Sequence, residues 1–135
     1  MYAGCPLIWG SKLQSEIALS TAEAEYIALS QVLREVIPAM NLMVELNVVF
    51  PMQLSKPGFC LVHEDNPLCI AMANSKKMKP RTKHIALKYH HSRHFVQREK
   101  IRIEYINTKE QLADIFTKPL PDCDFIRLRN GLCRW

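Results

Sequence analysis

No run of apolar residues in this chain reaches the length that a bilayer span requires, and no basic-then-apolar leader opens it. A soluble, intracellular protein with no membrane partner is the expectation. Paired cysteines are also missing. The five present, Cys5, Cys60, Cys69, Cys123 and Cys133, are odd in number and none forms a Cys-x-x-Cys pair. That argues against a disulfide framework and a zinc ribbon, and predicts that most are small buried hydrophobes. No internal repeat or low-complexity tract is visible, and no aspartate occurs before Asp65. What is present suits one globular domain over residues 1–135: the hydrophobic fraction of 48% is ample for one core and argues against disorder. Net charge is +5, from 18 Lys+Arg against 13 Asp+Glu, a modest excess that is weak evidence for a polyanionic partner.

The chain alternates helical and strand patterns. Residues 3–10 read as a strand end, a turn and a short second strand at Ile8-Trp9. Ser20 or Thr21 suits an N-cap, with Glu23 completing a capping box from Ser20. Ala22, Tyr26, Leu29, Leu33, Val36, Met40 and Met43 then keep a helical period and predict one buried stripe. Pro38 should kink or divide this helix. A loop follows over 48–58. Phe59–His63 reads as a strand of the fully buried type. Pro67–Asn74 is a short helix with proline in its first turn. Residues 84–98 read as helix, and Ile101–Ile106 alternates as a strand. Thr108-x-x-Gln111 predicts a capped helix ending before Pro119, and a last amphipathic segment spans Phe125–Leu132. This mixture implies α/β or α+β layers. Trp9, Tyr89 and Phe95 are expected in the core.

Three acidic segments stand in order: Ser20-Thr21-Ala22-Glu23-Ala24-Glu25-Tyr26, Val62-His63-Glu64-Asp65-Asn66, and Gln111-Leu112-Ala113-Asp114-Ile115-Phe116-Thr117-Lys118-Pro119-Leu120. Glu25 lies roughly 65° from the centre of the apolar stripe at about 100° per residue, and Glu23 roughly 95° away on the other flank. Glu25 is thus the better placed to reach a sheet edge; otherwise it is a solvated boundary acid. Asp65 follows a strand, where open sheets place ligands; it also suits an Asx turn or N-cap for the helix at Pro67. Asp114 sits within a predicted helix that aspartate does not favour; the plain alternative is a surface acid stabilised by the helix dipole. Acids from distant segments that converge are what two magnesium ions about 4 Å apart require, since no single loop supplies enough ligands.

Residues 76–83 gather Lys76, Lys77, Lys79, Arg81 and Lys83. Such a run neutralises phosphates without reading bases, or is simply a solvated loop. His84, His90, His91 and His94 invite a metal reading, and His90 and His94 share a helical face. No cysteine or acid at useful spacing completes a set, so surface or packing histidines are expected.

The wording of Ser-Thr-Ala-Glu-Ala-Glu-Tyr, Glu-Asp-Asn, Arg81-Thr82-Lys83-His84-Ile85 and Leu-Ala-Asp-Ile-Phe-Thr-Lys-Pro-Leu resembles the ribonuclease H domain of copia-type retrotransposon Pol polyproteins. The likeness runs from about Cys5 to about Leu128. It implies a ribonuclease H-like α/β fold, a mixed sheet flanked by helices. It implies magnesium- or manganese-dependent cleavage of the RNA strand in RNA–DNA hybrids. It gives Glu25, Asp65 and Asp114 as catalytic metal ligands, choosing Glu25 by its following tyrosine and Asp65 over Glu64 by its following asparagine. It makes 76–83 a hybrid-binding loop, with a reverse transcriptase domain upstream as a partner and a cytoplasmic particle or the nucleus as location. Two positions depart from the family. Pro67 stands where a glutamine or similar is usual. The family's first acid, on an N-terminal strand, has no counterpart, because Glu16 is the only acid before the long helix. The first strand and most of the second are expected to be absent, about 20–30 residues at usual strand and turn lengths. The resemblance therefore leaves two expectations: an impaired hybrid ribonuclease, or an inactive nucleic-acid-binding or structural relic.

Overall fold

The computed structural model describes residues 6–50, 58–75, 93–98 and 100–133. They divide into two compact units, one over Glu16–Tyr105 and one joining Met1–Ser15 to Ile106–Trp135. Expectations for His84, His90, His91 and Tyr89, and for Lys76, Lys77, Lys79, Arg81 and Lys83, fall outside the described residues.

The first unit begins with helix α1, Thr21–Val49. Ser20 is extended and its hydroxyl accepts the backbone N–H of Glu23. Glu23 returns a carboxylate oxygen to the N–H of Leu19 at 2.9 Å, one residue before the cap. The helix runs on through Pro38 and is not divided there. Its buried stripe is the expected one at Ala22, Tyr26, Leu29 and Leu33, widened by Ile27, Ser30 and Ile37. By length and composition α1 could cross a membrane, contrary to the expectation from its apolar runs. Its buried face, however, is the core of this unit. Tyr26, Leu29, Leu33 and Ile37 share one cluster with Cys69, Ala73, Ile101 and Ile103.

Strand β1, Cys60–Glu64, pairs in parallel with strand β2, Ile101–Tyr105, in the register Cys60 to Ile101 through Glu64 to Tyr105. Parallel neighbours need a long crossover. Here that connection contains helix α2, Pro67–Asn74, and helix α3, Arg93–Gln97. Both helices pack on β2, and α2 also touches α1. The architecture is mixed helix and strand, as the α/β expectation requires.

Strand β1 is not the fully buried strand expected from its apolar run. Cys60, Val62 and Glu64 turn to the core, while Leu61 is 43% exposed. Strand β2 starts with the same alternation, Ile101 and Ile103 inside and Arg102 outside, and leaves it at its end, where Tyr105 is exposed. One face of the described sheet is therefore wet.

The second unit holds two 3-10 turns, Thr108–Glu110 and Leu112–Phe116, and helix α4, Asp122–Cys133. The α-helix expected after Thr108 does not form. Asn107, not Thr108, caps this segment by accepting the N–H of Lys109, and Gln111 is extended, which interrupts the turns. Leu128 of α4 is buried. Gly131 lies so close to the Leu112 side chain that a Cβ there would meet it at 3.1 Å. Ile8 and Trp9 are not in a strand; they are 63% and 66% exposed, so Trp9 is no core residue. A two-residue apolar patch forms a strand only where a partner edge accepts its hydrogen bonds. Phe95 does pack against the core as expected.

Candidate active site

Two of the three expected acids lie in the first unit, one on α1 and one just after β1. Glu25 is half-buried on α1, and Asp65 is half-buried in the turn that leaves β1. The charges of both act on Glu64. Glu64 is the last residue of β1, and the strand's alternation turns it inward with Cys60 and Val62 until it is 6% exposed. Resemblance to the family passes over this residue. The signal that finds it is the strand's two-residue period, which puts it on the core face.

A buried carboxylate among other carboxylates resists ionisation. Burial raises the Glu64 pKa above its ordinary value, and the charges of Glu25 and Asp65 raise it further. The backbone N–H of Asn66, 3.1 Å from Oε1, and the thiol of Cys69 both donate to Glu64 and oppose that rise. Cys69 is fully buried. Burial first, and then the charges of Glu64, Glu25 and Asp65, push its thiol well up, so it remains protonated. Cys60 is also raised, by burial.

The cap of α2 belongs to Asn66 and not to Asp65. The Asn66 side-chain oxygen accepts the N–H groups of Leu68 at 3.0 Å and Cys69 at 3.3 Å. Pro67 occupies the first turn, where a missing N–H costs nothing. The capping role that competed with a ligand role for Asp65 is thus taken by its neighbour.

Asp114 lies in the second unit, in the 3-10 turn Leu112–Phe116, and is 8% exposed. Its partner is Lys118, whose Nζ stands 2.9 Å from each carboxylate oxygen. The backbone holds that geometry. The carbonyl of Asp114 accepts the N–H of Thr117 at 3.1 Å and of Lys118 at 3.0 Å, closing the turn.

Among the described residues, no group of three or more His, Cys, Asp or Glu side chains is gathered so as to hold a metal ion. His94 is exposed and meets Phe95 edge to face, with ring centroids 5.3 Å apart. His94 is thus a surface histidine whose ring lies against its neighbour.

No family model matches the chain, and no solved structure matches it. Similar proteins are found among the retrovirus-related Pol polyproteins of plant transposons. The chain is 35% identical over 120 residues, 89% of its length, to that of transposon TNT 1-94 from Nicotiana tabacum. It is 36% identical over 115 residues, 85% of its length, to that of transposon RE2 from Arabidopsis thaliana. The polyprotein of transposon RE1 from the same plant is 33% identical over 115 residues. The matched region is 7% to 8% of each of these relatives. Homology at this level over nearly the whole chain relates it to a small part of a retrotransposon polyprotein.

Proposed function

We propose that this chain is the ribonuclease H-like domain of a copia-type retrotransposon Pol polyprotein, and that its acids serve metal-dependent cleavage of RNA in RNA–DNA hybrids. The carrying observation is the 33% to 36% identity to Pol polyproteins over nearly the whole chain, with Asp65 of the Glu-Asp-Asn segment standing directly after a parallel strand. Strand ends of this kind are where α/β sheets present ligands.

Glu25, Asp65 and Asp114 are the residues we assign to hold magnesium or manganese. Carboxylate oxygens are the donors such hard cations prefer, so the donor chemistry fits. When bound, the ions would activate water for in-line attack on phosphorus and stabilise the leaving oxygen. Asn66 serves this reading by capping α2, which leaves the Asp65 carboxylate out of that hydrogen-bond network. Lys76, Lys77, Lys79, Arg81 and Lys83 would neutralise hybrid phosphates and set the duplex in place. A reverse transcriptase domain of the parent polyprotein would supply the hybrid.

A second reading, an inactive domain that binds nucleic acid or serves structure alone, is favoured by one observation. No three-ligand group is gathered among the described residues. Manganese-dependent cleavage of a hybrid by the chain joined to an N-terminal strand that carries an aspartate, compared with the Asp65→Asn variant of the same joined form, separates the two. Cleavage lost in the variant supports the enzyme. No cleavage, with hybrid binding that weakens steeply as salt rises, supports the binding domain. No binding at all leaves a structural role.

A further inference from the structure

Helix α1 outruns the core that covers it. Val44 and Val48 continue the face of Leu33 and Ile37 at helical spacing, yet they are 38% and 80% exposed. At this end of the helix a cleft of about 260 Å³ opens, lined by Ile37, Val44 and Phe95. Gly58 also lines it, with φ at +77° and so near the helix that a Cβ would meet the Val44 side chain at 3.2 Å. Two charges of opposite sign line the same cleft, Glu45 from α1 and Lys100 from the residue before β2. Neither is in an ion pair among the described residues. The cleft lies below the roughly 300–1,000 Å³ of small-molecule sites, so it suits a side chain and not a cofactor. Glu45 would repel a phosphate backbone, which sets nucleic acid aside. What fits is a protein segment with an apolar side chain between a basic and an acidic residue.

The chain itself displays such a segment. Residues 6–20 form no helix or strand, and Leu13 and Ile17, at 94% and 91%, are the most exposed large hydrophobic residues described. Exposed Lys12 directly precedes Leu13, and exposed Glu16 follows it. Ala18 packs on the core and ties this arm to the start of α1. We propose that two copies of the chain exchange arms, each seating Leu13 in the other's cleft, with Lys12 against Glu45 and Glu16 toward Lys100. Each copy carries both the arm and the cleft, so the exchange closes as a two-fold pair instead of growing into a fibre. Apolar groups exposed on both sides of the contact leave water together, and that drives the pairing. The contact is small, so the pair is weak and forms only as protein concentration rises. It uses none of the acids assigned to a metal.

Sedimentation velocity of the full chain, from micromolar concentration to about 1 mM, the weak end of specific association, reads the pair. A reversible shift from monomer to dimer is expected. Leu13→Asp should abolish the dimer. Glu45→Lys and Lys12→Glu should each weaken it by about five-fold, the scale of an exposed charge contact. The double reversal, Lys12→Glu with Glu45→Lys, should recover most of that loss. All three side chains are exposed, so circular dichroism should show every variant folded. Methyl NMR of Val44 locates the contact: its signals should move with concentration in the parent and stay still in Leu13→Asp. A chain that stays monomeric over this range overturns the proposal. A dimer indifferent to Leu13→Asp uses another face and overturns it as well. If dilute, monomeric parent and Leu13→Asp already differ at Val44, the arm fills the cleft of its own chain and the exchange is wrong. A double reversal that recovers nothing overturns the charge pairing.

Discussion

The backbone N–H of Asn66 donates to the carboxylate of Glu64, two residues earlier, across the turn that joins β1 to α2. Asn66 in turn caps α2, so one short segment fixes the end of a strand, the start of a helix and the position of Asp65 between them. Glu64 works as an internal strut, kept from water by the strand's alternation.

The strut has a pH signature. The folded-state pKa of Glu64 is raised above its ordinary value near 4.5. The folded chain thus binds its proton more tightly than the unfolded chain does. The stability this contributes is complete below about that ordinary value and is lost as pH rises through the folded value. Glu64→Gln accepts the same N–H and cannot ionise. Denaturant melts from pH 4 to 8 should show the variant gaining on the parent as pH increases. A constant difference across that range would mean that Glu64 ionises as it would in water.

Thiol chemistry should sort by burial. Cys123 and Cys133 are exposed, Cys60 is half-buried with a raised pKa, and Cys69 is fully buried beside the Glu64 carboxylate. Thiolate is the reactive form. Iodoacetamide at pH 8, read by peptide mass spectrometry, should label Cys123 and Cys133 first and Cys69 last. Labelling of Cys69 at the rate of Cys123 would contradict its packing.

Core truncation should separate the two faces of α1. Leu33 is 1% exposed and Leu42 is 53% exposed. Leu33→Ala should cost about 2–5 kcal/mol, and Leu42→Ala less than about 0.5 kcal/mol. Ser20→Ala removes the cap of the same helix and should cost about 1 kcal/mol. Urea denaturation measures all three.

What the sequence made legible was what local pattern decides. The stripe of α1 follows from helical spacing, the span of α2 from Pro67 and Asn66, and β2 from strict alternation. What it hid depended on partners. Ile8-Trp9 has the composition of a strand but meets no edge among the described residues that pairs with it. Phe59–His63 has the composition of a strand buried on both faces, yet Leu61 is exposed, because burial depends on what packs above the sheet. The segment after Thr108 carries a helix signal that Asn107 and the extended Gln111 override. Among the acids, Glu25, Asp65 and Asp114 stand out by their motifs. Glu64 does not, because its importance lies in facing inward, and motif wording says nothing of direction. The partnership of Asp114 with Lys118 has a signal in the sequence, because their four-residue spacing is the one that pairs opposite charges on a helix, and the 3-10 turn keeps it.

The basic segment offers a test that is independent of catalysis. Replacing Lys76, Lys77 and Lys79 with glutamine should weaken hybrid binding and make the salt dependence shallower, since every phosphate left without a cation keeps its counterion on binding. Fluorescence anisotropy against salt concentration reads both. An unchanged slope would remove these lysines from the interface.

The most direct test of the hybrid-ribonuclease reading supplies the acid that this sequence does not match. The chain is joined to an N-terminal strand segment carrying an aspartate, and manganese-dependent cleavage of a labelled RNA–DNA hybrid is measured beside the chain alone. The account predicts weak or no cleavage by the chain alone and clear cleavage by the joined form, abolished by Asp65→Asn. Cleavage that survives Asp65→Asn, or a folded joined form that binds hybrid and never cuts it, would contradict it.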